Sequence, residues 1–92
     1  MDYKALSLSA EIAINQLEGY IKKYGSTSSL ESIQKQLIFI RDKALENKNP
    51  LVELGEKKYF TYRILASKEF ASPEELEIKG KIDDVSRILD PD

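Results

Sequence analysis

The chain has no cysteine, no histidine and no tryptophan, and among its 92 residues only four are glycine and three are proline. Without cysteine there can be no disulfide staple, thiolate metal site or redox pair, which suits a reducing compartment. Without histidine the commonest transition-metal ligand and the usual proton shuttle near neutral pH are both missing. Long apolar runs are missing too. Residues 1–15 mix Asp2, Lys4, Ser7, Ser9 and Glu11 among the apolar positions, so they hold no signal-peptide core, and no stretch is long enough to span a bilayer. These absences lead to the expectation of a cytoplasmic domain that uses no metal and no cofactor.

Neither sign of charge dominates. Fourteen basic and sixteen acidic residues leave a net charge of -2, so no global attraction to nucleic acid or to an anionic membrane is encoded. The distribution is uneven. Lys48, Lys57, Lys58, Arg63 and Lys68 face only Glu53 and Glu56 within their stretch, whereas Glu69–Asp92 holds eight acids against Lys79, Lys81 and Arg87. Neighbouring elements that complement each other would account for this; a basic docking face is the alternative.

What is present is helical periodicity. Tyr3, Leu6, Ala10, Ala13/Ile14, Leu17, Tyr20/Ile21 and Tyr24 recur at three- and four-residue steps, which lays them along one side of a helix over 3–24 that Gly25 can stop. Ser28 and Glu31 have the spacing of a capping box opening a second helix over 29–46. Its stripe is Leu30, Ile33, Leu37, Ile40 and Ala44, flanked by Ile38 and Leu45, and Asn47-Lys48-Asn49-Pro50 ends it.

Asn49 as cap and Pro50 at the first helical position open a third segment over 50–70, whose stripe is Leu51, Val52, Leu54, Tyr59, Tyr62, Leu65, Ala66 and Phe70. Lys58–Leu65 is rich in β-forming types, so a strand is the alternative, although no hairpin turn or second strand offers to pair with it. Gly55 can divide this segment into a short turn and a longer helix. Ser72-Pro73-Glu74-Glu75 opens a fourth helix over 73–89, with Ile78, Ile82, Val85 and Leu89 facing inward and Pro91 beyond. Gly19 and Gly80 interrupt the first and fourth helices, where close backbone packing is the ordinary reason. Four stripes with no linker between them predict an all-α antiparallel four-helix bundle in a single domain, 1–92.

Few chemistries fit these residues. The carboxylate-bridged di-metal site of helical bundles needs Glu-x-x-His and cannot be built. Asp83-Asp84 and Glu74-Glu75-Glu77 lack the loop spacing of a calcium site and read as a solvated face. There is no Gly-x-Ser-x-Gly, Ser-x-x-Lys or phosphate cradle, so no enzyme and no catalytic residue is expected. Lys57-Lys58-Tyr59-Phe60 pairs cations with aromatics, and Lys22-Lys23-Tyr24 repeats the pattern where cations simply favour a helix C-terminus; without a basic stripe, no nucleic-acid partner is expected.

The residues outside the stripes are the candidates for binding. Leu8 and Ile12 lie opposite the Ala10–Leu17 side, and a neighbouring helix would bury them. Phe39 points away from its own stripe. Phe60 and Ile64, four apart and flanked by Lys57 and Lys68, resemble an aromatic spot with a polar rim. Tyr59 and Tyr62 are expected to pack with their rings and keep their hydroxyls at the wet edge.

Pro50-Leu51, Tyr59-Phe60-Thr61 and Glu74-Glu75-Leu76 before an amphipathic last helix resemble the second half of the enterocin A and pediocin-type bacteriocin immunity proteins. The resemblance covers residues 50–89 at most, and the first half shows only generic helical pattern. It implies a small cytosolic four-helix bundle that protects without catalysis, by binding at the inner face of the membrane receptor a bacteriocin has seized. Only Tyr59, Phe60 and Thr61 match that pattern closely, and the tail that follows the last helix in many members has no counterpart in these 92 residues. The expected function is therefore protein binding through Phe39, Lys57, Tyr59, Phe60, Thr61, Ile64 and Lys68, to a toxin, a bacteriocin–receptor complex or another protein. A structural or adaptor domain that homodimerises through its spare apolar stripes is the alternative.

Overall fold

Side-chain caps set four of the five helix starts in the computed structural model, which describes residues 1–55 and 58–90. The Asp2 carboxylate accepts from the Ala5 N–H at 3.0 Å and starts α1 (Tyr3–Tyr24). Gly25, at φ +92, lies in a region closed to most side chains and stops it. The cap of α2 (Ser28–Leu45) is Thr27 rather than Ser28. Thr27 is extended, its hydroxyl accepts from Leu30 N–H at 3.2 Å, and Ser28 is already the first helical residue. Asn49 caps α3 (Pro50–Leu54) through Leu51 N–H at 3.0 Å. In α5 (Pro73–Leu89) the expected box is complete: Ser72 Oγ accepts from Glu75 N–H at 3.4 Å, and Glu75 Oε1 accepts from Ser72 N–H at 2.9 Å.

The single helix expected over 50–70 is not formed. α3 ends at Leu54, Gly55 sits at φ +104, residues 58–61 are non-helical, and α4 spans only Tyr62–Glu69. The alternative, a strand over Lys58–Leu65, is not formed either, and no strand occurs among the described residues. The stripe drawn through this segment therefore breaks up. Tyr62, Ala66 and Phe70 are buried, while Val52 is 72% exposed and Leu51 also faces outward, because a rotation at Gly55 removes the common helical phase.

The core lies where the longer helices meet. Leu6, Ala10 and Leu17 of α1, Ile33, Leu37 and Ile40 of α2, and Ile82 and Val85 of α5 are fully enclosed, as their periodicity requires. Glu11 pairs with Arg41 at 2.8 Å and Gln34 reaches Glu18 at 3.5 Å, so positions climb along α1 as they descend along α2. α4 packs against α2 and α5. The hydroxyl of Thr27 also donates to Glu69 Oε1 at 3.3 Å, tying the α1–α2 turn to the end of α4. Gly19 and Gly80 are not points of close approach, since a Cβ at either would meet nothing within 4 Å among the described residues. Leu8 and Ile12 are exposed, because none of the described helices covers that side of α1. No described helix is long and apolar enough to cross a membrane.

Candidate protein-interaction surface

A glutamine on α2 builds the region that precedes α4. Thr61, at the cap position of α4, makes no side-chain cap of its own. Gln36 supplies one from across the structure: its Oε1 accepts from the N–H groups of Thr61 at 2.8 Å and Tyr62 at 2.9 Å. Its amide nitrogen donates to Thr61 Oγ1 at 2.9 Å and to Ser32 Oγ at 3.1 Å. The four bonds use both ends of the amide, and they satisfy N–H groups that a helix start leaves unpaired.

Aromatic packing holds the same segment as well. The Phe60 ring is half-buried, 6.0 Å from Phe39 and 5.8 Å, edge-on, from Tyr62. Tyr62 is enclosed, and its hydroxyl shares a 2.9 Å hydrogen bond with the buried Ser86 hydroxyl. Burial pushes the Tyr62 phenol above its usual pKa, partly offset by the bond to Ser86. The expected wet-edge hydroxyl is thus a core contact. With Phe60 and Thr61 held inward, Tyr59 is directed outward and is 78% exposed.

Beside Tyr59 lies a cleft of about 210 Å³ whose lining includes the apolar Leu51, Phe60 and Leu89 and the charged Arg63 and Asp90. Arg63 stands 3.9 Å from Asp83 Oδ1, an atom with no hydrogen-bond partner among the described residues, while Asp83 Oδ2 accepts from Lys79 at 2.9 Å. Among the described residues this Arg63–Asp83 contact is the one ion pair that links the basic middle stretch to the acidic last one. The cleft can seat an apolar or aromatic side chain. Among the described residues no three of Asp, Glu, His and Cys converge to hold a metal.

The expected site is divided. Phe39, Phe60 and Thr61 turn inward, and Tyr59 remains at the surface. Ile64, 56% exposed, and Lys68 lie on the outer side of α4, opposite Tyr62 and Ala66. Phe60 and Ile64 do not form a helical pair, because Phe60 precedes the helix. Lys57 lies outside the described residues. Gln36 and Asp90 carry no signal of a site in the sequence, Arg63 is marked there only as part of the basic stretch, and Leu51, expected in the core, is at the surface.

A second cluster joins the end of α1 to the start of α5. Tyr20 donates to Glu75 Oε2 at 2.5 Å, Tyr24 donates to Glu74 at 2.9 Å, and Lys23 stands 3.6 Å from Glu74. The bond to Glu75, reinforced by burial, pushes the Tyr20 phenol up to about 12. The same bond, with those from the Ser72 backbone and side chain, holds the Glu75 carboxyl at about 2.

Comparison with protein-family models, with curated proteins and with solved structures returns no match.

Proposed function

We propose that this chain is a non-enzymatic protein-binding module, in which α1, α2, α4 and α5 make up an antiparallel four-helix bundle and α3 with residues 58–61 forms its contact edge. The observation that carries the reading is the exposure of Tyr59 beside a cleft lined in part by apolar side chains. Tyrosine and arginine are the side chains that most often anchor protein interfaces, and Tyr59 and Arg63 lie on the same rim. The favoured partner presents an apolar or aromatic side chain to the cleft and a charged group to Arg63 or Asp90.

The resemblance to bacteriocin immunity proteins gives this module a role, protection by occupying a seized receptor or the toxin itself. Within Tyr59-Phe60-Thr61 the three residues then divide the work. Tyr59 touches the partner, while Phe60 and Thr61 position it, through the rings of Phe39 and Tyr62 and through Gln36.

The experiment is expression in a strain sensitive to a pediocin-type bacteriocin, with a photo-cross-linker placed at Tyr59 and, as control, at Glu31 on α2. The expected result is survival, together with one cross-linked partner from position 59 alone. Loss of survival on Tyr59→Asp with an unchanged helical signal supports the contact role. A cross-linked partner without protection sinks the immunity role and keeps the module; no adduct specific to position 59 sinks both.

A further inference from the structure

α1 carries a second apolar stripe, on the side opposite Leu6, Ala10 and Leu17. Leu8 is 56% and Ile12 49% exposed. Ala5, Leu8, Ile12, Asn15 and Gly19 follow the alternating three- and four-residue steps of a two-helix seam, and none of them is charged. Gly19 costs a helix interior about 1 kcal/mol relative to alanine. Among the described residues nothing approaches it closely enough to require a glycine. Along one flank of the stripe Lys4, Glu11 and Glu18 recur every seventh residue.

We propose that this face binds the same face of a second copy, α1 against α1, in antiparallel alignment. A single register sets Leu8 against Ile12 of the second copy, and by symmetry does so twice. It also brings Lys4 beside Glu18 of the second copy in both directions, because like flanks meet in an antiparallel pair. Asn15 then opposes Ala5, whose small side chain leaves the amide in reach of water. Glu11 meets its own symmetry mate, and each is already paired with Arg41 at 2.8 Å, which lessens their repulsion.

Charge decides the orientation. In a parallel pair Glu18 would face Lys23, a cation already 3.6 Å from Glu74 and stacked over Tyr24. Lys4 has no ion-pair partner among the described residues and would face Ser9, leaving it unused. With only two strong apolar layers the association is of the weak class, formed at high concentration.

Sedimentation equilibrium of the full chain over about a hundredfold range of concentration tests this, read beside circular dichroism. A reversible dimer is expected. Ile12→Lys should raise its dissociation constant at least about tenfold while leaving helicity and melting of the dilute protein unchanged, since the side chain is exposed. Glu18→Lys should weaken the dimer severalfold, and adding Lys4→Glu to it should restore the affinity. A monomer at every concentration overturns the proposal, as does a dimer indifferent to Ile12→Lys. A loss on Glu18→Lys that Lys4→Glu does not repair overturns the antiparallel register.

Discussion

The α1–α2 pair and the stretch from Pro50 to Phe70 use similar proportions of apolar side chains to opposite ends. In α1 and α2 one stripe of apolar positions keeps a constant helical phase over most of each helix, and five apolar residues in each are buried. Between Pro50 and Phe70 the phase is lost at Gly55, and Leu51, Val52, Tyr59 and Ile64 come to the surface. The first region is stabilised by its own periodicity. The second is shaped by contacts from outside it, Gln36 and Phe39 above all, and it therefore carries the exposed groups a partner can use.

The comparison breaks most visibly in stability. Leu17→Ala removes a fully enclosed side chain and is expected to cost about 2–5 kcal/mol, whereas Val52→Ala, in the exposed turn, should stay within about 0.5 kcal/mol. Urea denaturation of both variants, with the slope checked to be unchanged, measures the difference. A large loss at Val52 would mean that α3 belongs to the core after all.

A smaller effect separates the two regions within one variant. Gln36→Leu leaves the N–H groups of Thr61 and Tyr62 without their acceptor and is expected to cost about 2–3 kcal/mol. Hydrogen exchange should show the loss concentrated at the amides of α4, while those of α1 change only with global stability. Uniform change in both would mean that the stretch is not held locally.

The two regions also differ in how much of them could be read from the residues alone. Capping chemistry is local, so Ser72 with Glu75 and Asn49 with Pro50 were legible at once. Burial along the inner stripes of α1, α2 and α5 follows from period, except at two helix ends, where Tyr24 and Leu45 are exposed. Gln36 was not legible, because a glutamine on a helix gives no sign of a partner twenty-five residues away. Tyr59 and Phe60 were recognisable as unusual, but which of them turns outward depends on the break at Gly55 and on that glutamine. The exposure of Leu8 and Ile12 depends in turn on how many helices lie beside α1, which periodicity does not count.

Gly80→Ala probes a helix in the well-ordered class. The site has open space and a helical backbone, so alanine should stabilise the chain by about 0.5–1 kcal/mol, read as a rise in melting temperature. The same substitution at Gly55, with φ +104, should destabilise it, because alanine is strained there.

The smallest expected effect lies where α1 meets α5, at the hydrogen bond between Tyr20 and Glu75. The Glu75 carboxyl sits at about 2 in the folded protein against an ordinary 4.5, so its contribution is fully present above pH 4.5 and is lost as pH falls toward 2. The Tyr20 phenol is raised from 10.0 to about 12, so its contribution is present below pH 10 and is lost as pH rises toward 12. Tyr20→Phe should therefore flatten both limbs of the stability–pH profile by lowering the mid-range toward the extremes, and by only a small amount, since both groups are partly exposed and screened there. Some acid dependence should persist, from the Ser72 bonds that also hold Glu75 low, and some alkaline dependence, from the buried phenol of Tyr62. Denaturation midpoints for the two proteins between pH 2 and pH 12 measure this. Parallel profiles would show that the hydroxyl–carboxylate contact does not tie the end of α1 to the start of α5 in solution.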